Sequence, residues 1–173
     1  MKLKTERLEL IPLNAYQLKL LTEDIIQFEK EIQCQYCGEE IEGGILKIFR
    51  GQIEVIKTNH GDYLWHTFWL FKLRNTDKFI GSASFKNIPS DRGEVEIGYG
   101  INKKFENYGY TTEAVNAMCE WALKQPGVKK IVAETEKGNI KSQRVLEKCK
   151  MIQFKETEDC YWWELTKESI MIS

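Results

Sequence analysis

Apolar residues recur along the chain with two different periods, and the change between them outlines the secondary structure. In ERLELIPL, residues 6–13, leucines alternate with polar side chains, which predicts an opening strand. The run 15–32 follows Asn14, a good helix cap, and its apolar side chains at helical spacing predict one helix. A second helical region covers 39–59, weakened by internal glycines that cost about 1 kcal/mol each.

The middle of the chain changes to patterns typical of strands. Three runs, 65–74, 78–87 and 93–101, are separated by the turn sequences NTD and PSDRG and predict an antiparallel meander. The remaining elements follow in this order: a helix over 110–124, a strand over 128–135, a helix over 139–149, and strands over 151–157 and 159–165. This order predicts one α/β domain over residues 1–173. We expect a mixed, largely antiparallel sheet of about seven strands flanked by helices, with a central β-α-β crossover.

The composition narrows the class of protein and of partner. The 173 residues are 42% apolar and 29% charged, which is enough apolar material for one full core. The 25 basic and 26 acidic residues give a net charge of −1, which provides no electrostatic footprint for nucleic acid or an anionic membrane. The opening residues lack the apolar core of a signal peptide, and no run approaches the roughly 20 apolar residues of a membrane span. We therefore expect a cytoplasmic protein whose partner is a small molecule or a peptide.

Five cysteines, an odd number at irregular spacing, fit a reduced compartment better than a disulfide framework. Cys34 and Cys37 have the spacing of a metal or redox pair, but a zinc site requires four ligands. The sequence has no second such pair to supply the other two ligands, and His60 and His66 are the only histidines. We expect a plain loop at QCQYCG and no metal. The alternative, a metal or redox protein, requires bound zinc or a reversible disulfide at this pair.

The strongest candidate for chemistry is the segment GEVEIGYGINKKFENYGYTTEAV, residues 93–115. Glu94, Glu96 and two glycines alternate with apolar residues, so one strand face is nearly bare towards its end, where a ligand can approach the backbone. Gly109 then marks a turn that opens a helix, whose first N–H groups lack internal partners and attract anions. Such an arrangement would hold an extended thioester cofactor with its pyrophosphate at the turn. Taken by itself, Gly109 fits an ordinary turn glycine better than an anion site.

Two longer segments, 93–123 and KKIVAETEKGNIKSQRVLEKCKM (129–151), resemble the GNAT superfamily of acetyl-CoA-dependent N-acetyltransferases. They look closest to the branch that acetylates the N-terminal alanine of ribosomal proteins and related small amines, and the opening TERLELIPL is similar to the same branch. The likeness covers nearly the whole chain, although residues 33–62 are unspecific. The resemblance implies acetyl-CoA as the acyl donor and, as acceptor, a protein N-terminal α-amine or a small-molecule amine. It also implies direct attack by the amine, without a metal or a covalent enzyme intermediate.

The family's phosphate turn reads Gln or Arg, two residues, Gly, one residue, then Gly or Ala. Aligned on Gly109, this pattern puts Glu106 at the Gln/Arg position and Thr111 at the small one. A carboxylate within about 6 Å of a phosphate opposes binding by roughly 1 kcal/mol, so we expect weak CoA affinity. Lys103 and Lys104 are candidate counter-charges. The resemblance implies these donor-binding residues: Gly98, Tyr99, Gly100, Ile101, Asn107, Tyr108, Gly109, Tyr110, Thr111, Thr112, Asn139 and Ser142.

Three residues are candidates for catalysis. An amine attacks only when deprotonated, and an α-amine, with a pKa of about 8 against about 10.4 for lysine, needs less help from a base. Glu96 is the first candidate for that base, because it shares the ligand-facing side of its strand, and Glu134 is the second. Ser142 is a possible proton donor to the departing thiol. A backbone N–H around Gly98 or Tyr99 would hold the oxyanion.

Several simpler interpretations remain open. Glu96 fits a solvated strand carboxylate, Asn139 fits a helix cap alone, and Lys141 and Arg144 fit solvated surface. The aromatic residues of 65–71 and 161–163 fit either the core of a sheet covered on both sides, or an acceptor pocket or homodimer interface. The alternative function is a catalytically weak or silent acyl-CoA-binding sensor or interaction module on the same fold, which the charge of Glu106 and the missing Gln or Arg favour. Acceptor selection is expected in residues 33–62 and the last strands.

Overall fold

Short strands and helices alternate along the whole chain. The structure, a computed structural model, describes residues 1–59 and 61–171. Its strands are β1 (Leu3–Lys4), β2 (Leu8–Pro12), β3 (Gln35–Tyr36), β4 (Phe68–Leu73), β5 (Lys78–Phe85), β6 (Glu94–Ile101), β7 (Lys130–Glu136), β8 (Ile152–Glu156) and β9 (Cys160–Thr166). Its helices are α1 (Ala15–Glu23), α2 (Ile25–Ile32), α3 (Gly43–Thr58), α4 (Tyr63–His66), α5 (Tyr110–Leu123), α6 (Ile140–Lys148) and α7 (Lys167–Met171), with a 3-10 turn over Lys103–Phe105. Among the described residues, none of these helices is both long and apolar enough to cross a membrane.

The strands form one sheet in the order β1-β2-β4-β5-β6-β7-β9-β8, with β3 added beside β5. Neighbouring strands run antiparallel, except that β6 and β7, and also β3 and β5, are parallel. Because α5 connects β6 to β7, it forms the predicted central crossover. The predicted α/β class and largely antiparallel sheet are therefore confirmed. The described residues form nine strands, because β1 and β3, with two residues each, are too short to show a period in the sequence.

Two predicted elements are wrong, and a polar residue explains each case. The helix predicted over 15–32 is two helices, because Asp24 leaves helical geometry with φ −150° and its side chain caps α2 instead. The strand predicted over 65–74 starts as a helix, and Trp65 lies in α4. The buried Thr67 ends that helix: its backbone is extended and its hydroxyl donates a hydrogen bond to a backbone carbonyl of the opening segment.

Helices cover both faces of the sheet, and each layer has its own buried cluster. Helices α5 and α6 pack over the first cluster, and α1, α2 and α3 over the second. Along β4, Trp69 and Phe71 enter the first cluster, whereas Phe68 and Leu70 enter the second, as the two-residue period of a strand requires. These aromatic residues, together with Trp65, are therefore core, which is the simpler of the two interpretations of the sequence.

The segment around the cysteine pair is more ordered than the predicted plain loop. Cys34 is buried, and β3, which lies between the two cysteines, pairs with β5. Burial raises the pKa of the Cys34 thiol to about 11, so the thiol stays protonated near neutral pH. In the part of the chain that the structure describes, no three His, Cys, Asp or Glu side chains converge as metal ligands would. His60 lies outside that part.

Candidate active site

Strands β6 and β7 pair over a short length and then separate. Their ladder joins Glu94–Glu96 to Lys130–Val132, and the last pair is Glu96 with Val132. Both strands continue beyond this point, so a gap opens in the middle of the sheet. The unpaired part of β6 runs on to the end of the strand, and the turn that starts α5 follows it.

The backbone of β6 presents hydrogen-bonding groups to this gap. On the other side of β6, the Lys86 N–H donates to the Glu96 carbonyl at 2.9 Å and the Asn102 N–H to the Ile80 carbonyl at 3.0 Å. Because backbone groups alternate between the two sides of a strand, the even-numbered residues of β6 are directed at β5. Tyr99 and Ile101 therefore direct their N–H and C=O groups into the gap, whereas Gly98 pairs with Ser84 of β5.

The turn after β6 leaves several N–H groups without helical partners. Asn107 and Gly109 both have left-handed backbone geometry, with φ 65° and 82°, and α5 begins at Tyr110. The first bond within the helix runs from the Glu113 N–H to the Gly109 carbonyl at 3.1 Å. The N–H groups of Tyr110 and the next two residues therefore precede the helical ladder, which is the arrangement that binds anions.

Arg7 holds this turn from outside the groove. Its Nε donates to a carboxylate oxygen of Glu113 at 2.7 Å, and its Nη1 donates to the Tyr108 carbonyl at 2.8 Å. The Thr5 hydroxyl donates to the same carboxylate at 2.5 Å. Burial alone would raise the pKa of Glu113, but the hydrogen bonds that its carboxylate accepts from Thr5 and Arg7 outweigh burial and lower the pKa. Nothing in the sequence pattern points to Arg7, because only the fold brings the opening strand to this turn.

A groove of about 340 Å3 lies between the gap, the turn and α6. Ten of the twelve donor-binding residues predicted from the sequence line it. The two that do not are Gly98, beside which the Lys86 side chain lies, and Tyr108, whose ring is exposed and stacks on Tyr110 at 5.8 Å. Asn139 lines the groove and also caps α6 by accepting the Ser142 N–H at 3.1 Å, so its capping role is confirmed.

Glu106, the carboxylate in the phosphate turn, is paired with a cation. Lys141 Nζ forms an ion pair with Glu106 Oε2 across the groove, and both residues line it. The expected counter-charges, Lys103 and Lys104, make no ion pair with Glu106 among the described residues. Lys141 is exposed, as the interpretation as solvated surface requires, and in addition it pairs with a charge of the groove.

Two more cations of α6, Arg144 and Lys148, line the same groove. With Lys141 they stand three and four residues apart, so that all three lie on one face of the helix. Arg144 is exposed, as the interpretation as solvated surface requires, and it lines the groove as well. Helical spacing was the signal in the sequence that points to this basic face.

Tyr99 and Ser142 meet at the inner end of the groove. Their hydroxyls share a hydrogen bond of 2.8 Å, and the Tyr99 hydroxyl also lies 3.2 Å from the Ser142 carbonyl oxygen. Burial raises the pKa of Tyr99, so the phenol keeps its proton near neutral pH. The sequence pattern indicated a core role for Tyr99. Its ring does pack against the first cluster, while its hydroxyl belongs to the groove.

The two base candidates lie on the opposite face of the sheet from α5 and α6. Glu96 and Glu134 share that face, on the two strands that border the gap, and neither lines the groove. The Glu96 side chain is 19% exposed and forms an ion pair with Lys86, while Glu134 is exposed. The structure thus places both carboxylates on the face of the sheet opposite the groove. The gap between β6 and β7 connects the two faces.

A second cavity adjoins the groove. It measures about 730 Å3 and is lined largely by residues 35–42, within the segment expected to select the acceptor. Glu39 lines both cavities, and its carboxylate occupies the space that a side chain at Gly100 would fill. Burial, and then the charge of Glu106, raises the pKa of Glu39. This carboxylate therefore marks the boundary between the two cavities.

Comparison with known proteins is consistent with this geometry. Residues 7–152 match the acetyltransferase (GNAT) domain family. The chain is 28% identical over 166 residues to the uncharacterized N-acetyltransferase YjdG of Bacillus subtilis, covering 95% of this chain and 98% of that protein. Its fold is similar to a ribosomal-protein-S5-alanine acetyltransferase from Vibrio fischeri, with TM-score 0.72, 16% identity and 97% of each chain covered. It is also similar to RimL, a ribosomal L7/L12 alpha-N-protein acetyltransferase in complex with coenzyme A, with TM-score 0.70, 13% identity and coverage of 96% and 98%.

Proposed function

The chain belongs to the GNAT acetyltransferase domain family, and from that premise we propose that it moves an acetyl group from acetyl-CoA to a primary amine, by direct attack within one domain over residues 1–173. The acceptor is a protein N-terminal α-amine or a small-molecule amine. The observation that carries the proposal is the gap between β6 and β7, which leads directly to the unpaired N–H groups of the turn after β6. An extended donor fits this path, with its acyl end in the gap and its pyrophosphate at the turn.

The backbone of β6 supports the acyl-transfer step. When an amine attacks a thioester, negative charge develops on the carbonyl oxygen, and a preorganised N–H donor stabilises it. The Tyr99 N–H fits this role, because it faces the gap, whereas Gly98 is paired with β5. Of the two positions considered from the sequence, Tyr99 is therefore the one we propose.

The hydroxyl pair of Tyr99 and Ser142 would stabilise the leaving thiolate. One proton of the pair lies between the two hydroxyls, and the other can form a hydrogen bond to sulfur. A thiol has a pKa of about 8.5, well below that of a buried phenol, so the phenol keeps its proton when the thiolate leaves. The proton that the amine loses on attack goes to a base. Glu96 fits that task, since it borders the gap on the face opposite the groove, and Lys86 holds its carboxylate in place. Glu134 is the second candidate.

The acceptor would enter from the second cavity. This cavity adjoins the groove at Glu39 and is formed by the segment 35–42, which carries Glu40 and Glu42 as well. The half-buried Tyr161 and Trp162 of β9 pair with β7 and lie one strand away from the gap. The described cysteines are unpaired, which supports the expected cytoplasmic location.

The test is incubation of the purified chain with acetyl-CoA and a panel of amines, with CoA release and product mass as readouts. The panel contains peptides beginning with alanine and serine, a polyamine and free lysine, and the control is an N-acetylated peptide. We expect CoA release in proportion to acetylated product for at least one amine. Saturable acetyl-CoA binding without any product would instead identify a silent acyl-CoA-binding module, and absence of binding would overturn the proposal.

A further inference from the structure

The basic face of α6 contains two cations that the groove leaves unpaired. Lys141, at the start of this face, is already paired with Glu106. Arg144 and Lys148 form no ion pair with any described residue, although both line the groove together with Glu39 and Glu106. Unpaired cations in the wall of a groove favour an anionic ligand group.

The exposure of the α6 side chains shows which of them lie at the inner end of the groove and which lie at its rim. Ser142 and Val145, which also line it, are half-buried, and Ser142 contacts the inner Tyr99 hydroxyl. Arg144 and Lys148 are exposed and therefore stand at the rim. With a rise of about 1.5 Å per residue, they lie roughly 5 and 10 Å beyond Lys141 along the helix axis.

The turn and the basic face therefore offer two separate sites for phosphate. The turn supplies backbone N–H donors, which need no side-chain cation. The rim supplies a guanidinium and an ammonium group, of which the guanidinium suits two-point contact with phosphate oxygens. CoA carries phosphate at two places, the pyrophosphate and the 3′-monophosphate of its ribose. We propose that Arg144 and Lys148 bind the 3′-phosphate of the donor and so select CoA over donors that lack it. This inference rests on the proposed function.

The test compares CoA with 3′-dephospho-CoA by titration calorimetry on four proteins: the wild type, the two single variants Arg144→Gln and Lys148→Gln, and their double variant. A matched control, Arg50→Gln with Lys47→Gln, removes one arginine and one lysine from exposed positions of α3 outside the groove. We expect the wild type to bind CoA about three- to tenfold more tightly than 3′-dephospho-CoA, as two exposed charge contacts allow. The double variant should bring this ratio close to one while its affinity for 3′-dephospho-CoA stays unchanged, and the control should keep the wild-type ratio.

The outcomes separate this inference from the proposed function. Equal affinity of the wild type for both ligands overturns the inference and leaves acetyl transfer standing. An equal loss of affinity for both ligands in the double variant also overturns the inference, because the cations then act on the pyrophosphate. If the wild type binds neither ligand, the proposed function fails and the inference fails with it. Thermal unfolding of each variant confirms that exposed substitutions leave the fold intact.

Discussion

The guanidinium of Arg7 donates a 2.8 Å hydrogen bond to the Tyr108 carbonyl oxygen and so ties the opening strand to the turn before α5. The same side chain lies over the Tyr110 ring, 4.7 Å from its centroid. Because the carbonyl is engaged from outside, the turn keeps the geometry in which its residues line the groove. Arg7 is thus a positioning residue for a site that it does not line.

Replacement of Arg7 by glutamine should therefore weaken both the fold and the donor site. Loss of the bonds to Tyr108 and Glu113 should lower the free energy of unfolding by about 1–2 kcal/mol. CoA affinity should fall as well, because the turn loses its outer support. Urea unfolding and calorimetric titration measure the two effects. Arg92→Gln, at an exposed turn, is the matched control, and equal values for Arg7→Gln and the wild type would contradict the positioning role.

The stability contribution of Glu113 should depend on pH in a defined direction. Its pKa is lowered from the ordinary value of 4.5, so the stabilisation is fully present above about pH 4.5 and is lost as pH falls through the folded-state pKa. Glu113→Gln should be less stable than the wild type at pH 7, and the difference should shrink towards pH 3. Urea unfolding at several pH values measures it. Glu120→Gln, exposed on the same helix, should show no such trend, and a difference that grows at low pH would disprove the assignment.

The Glu106–Lys141 pair should set the affinity for acetyl-CoA. Lys141→Gln leaves the carboxylate uncompensated beside the turn, so affinity should fall by about three- to tenfold. Glu106→Gln removes the repulsion and frees Lys141, so affinity should rise by a similar factor. In the Glu106→Gln background, the further change Lys141→Gln should cost less than it does alone. Binding titrations give all four values, and weaker binding by Glu106→Gln would refute this account.

Removal of the Tyr99 hydroxyl should affect turnover more than binding. Tyr99→Phe keeps the ring in the core but takes away the donor to the leaving sulfur, so kcat should fall roughly 10- to 100-fold with little change in KM for acetyl-CoA. Ser142→Ala should act similarly, and the double variant should cost less than the product of the two. Tyr16→Phe, an exposed tyrosine, serves as control. A rise in KM without a fall in kcat would assign the pair to binding instead.

Replacement of Glu96 by glutamine tests whether this carboxylate is the base that accepts the proton of the attacking amine. Turnover should fall about 100-fold near pH 7, and the deficit should shrink as pH rises past about 8, where an α-amine deprotonates without help. Glu94→Gln, on the same strand face, is the control, and Glu134→Gln tests the second candidate. Unchanged turnover of Glu96→Gln across this pH range would remove Glu96 from the mechanism.

The sequence predicted what depends on local pattern and missed what depends on contacts between distant segments. Alternation in residues 93–101 and the glycine turn pointed to residues that line the groove, because strand faces and helix starts are local properties. The break at Asp24 was missed, because an apolar period can pass through a capping residue without interruption. The pairing of Lys141 with Glu106 joins residues 35 positions apart, and only the fold brings them together.

The ladder between β6 and β7 has three residue pairs, against seven between β7 and β9, so the two long strands that border the gap are joined over only part of their length. The molecule resembles a sheet from which part of one strand has been left out. A bound molecule with its own amide groups could form hydrogen bonds to both strands and so join the two parts of the sheet across the gap. Backbone amides of β6 and β7 beside the gap should then exchange with solvent deuterium more slowly, so that donor binding can be followed without any acceptor present.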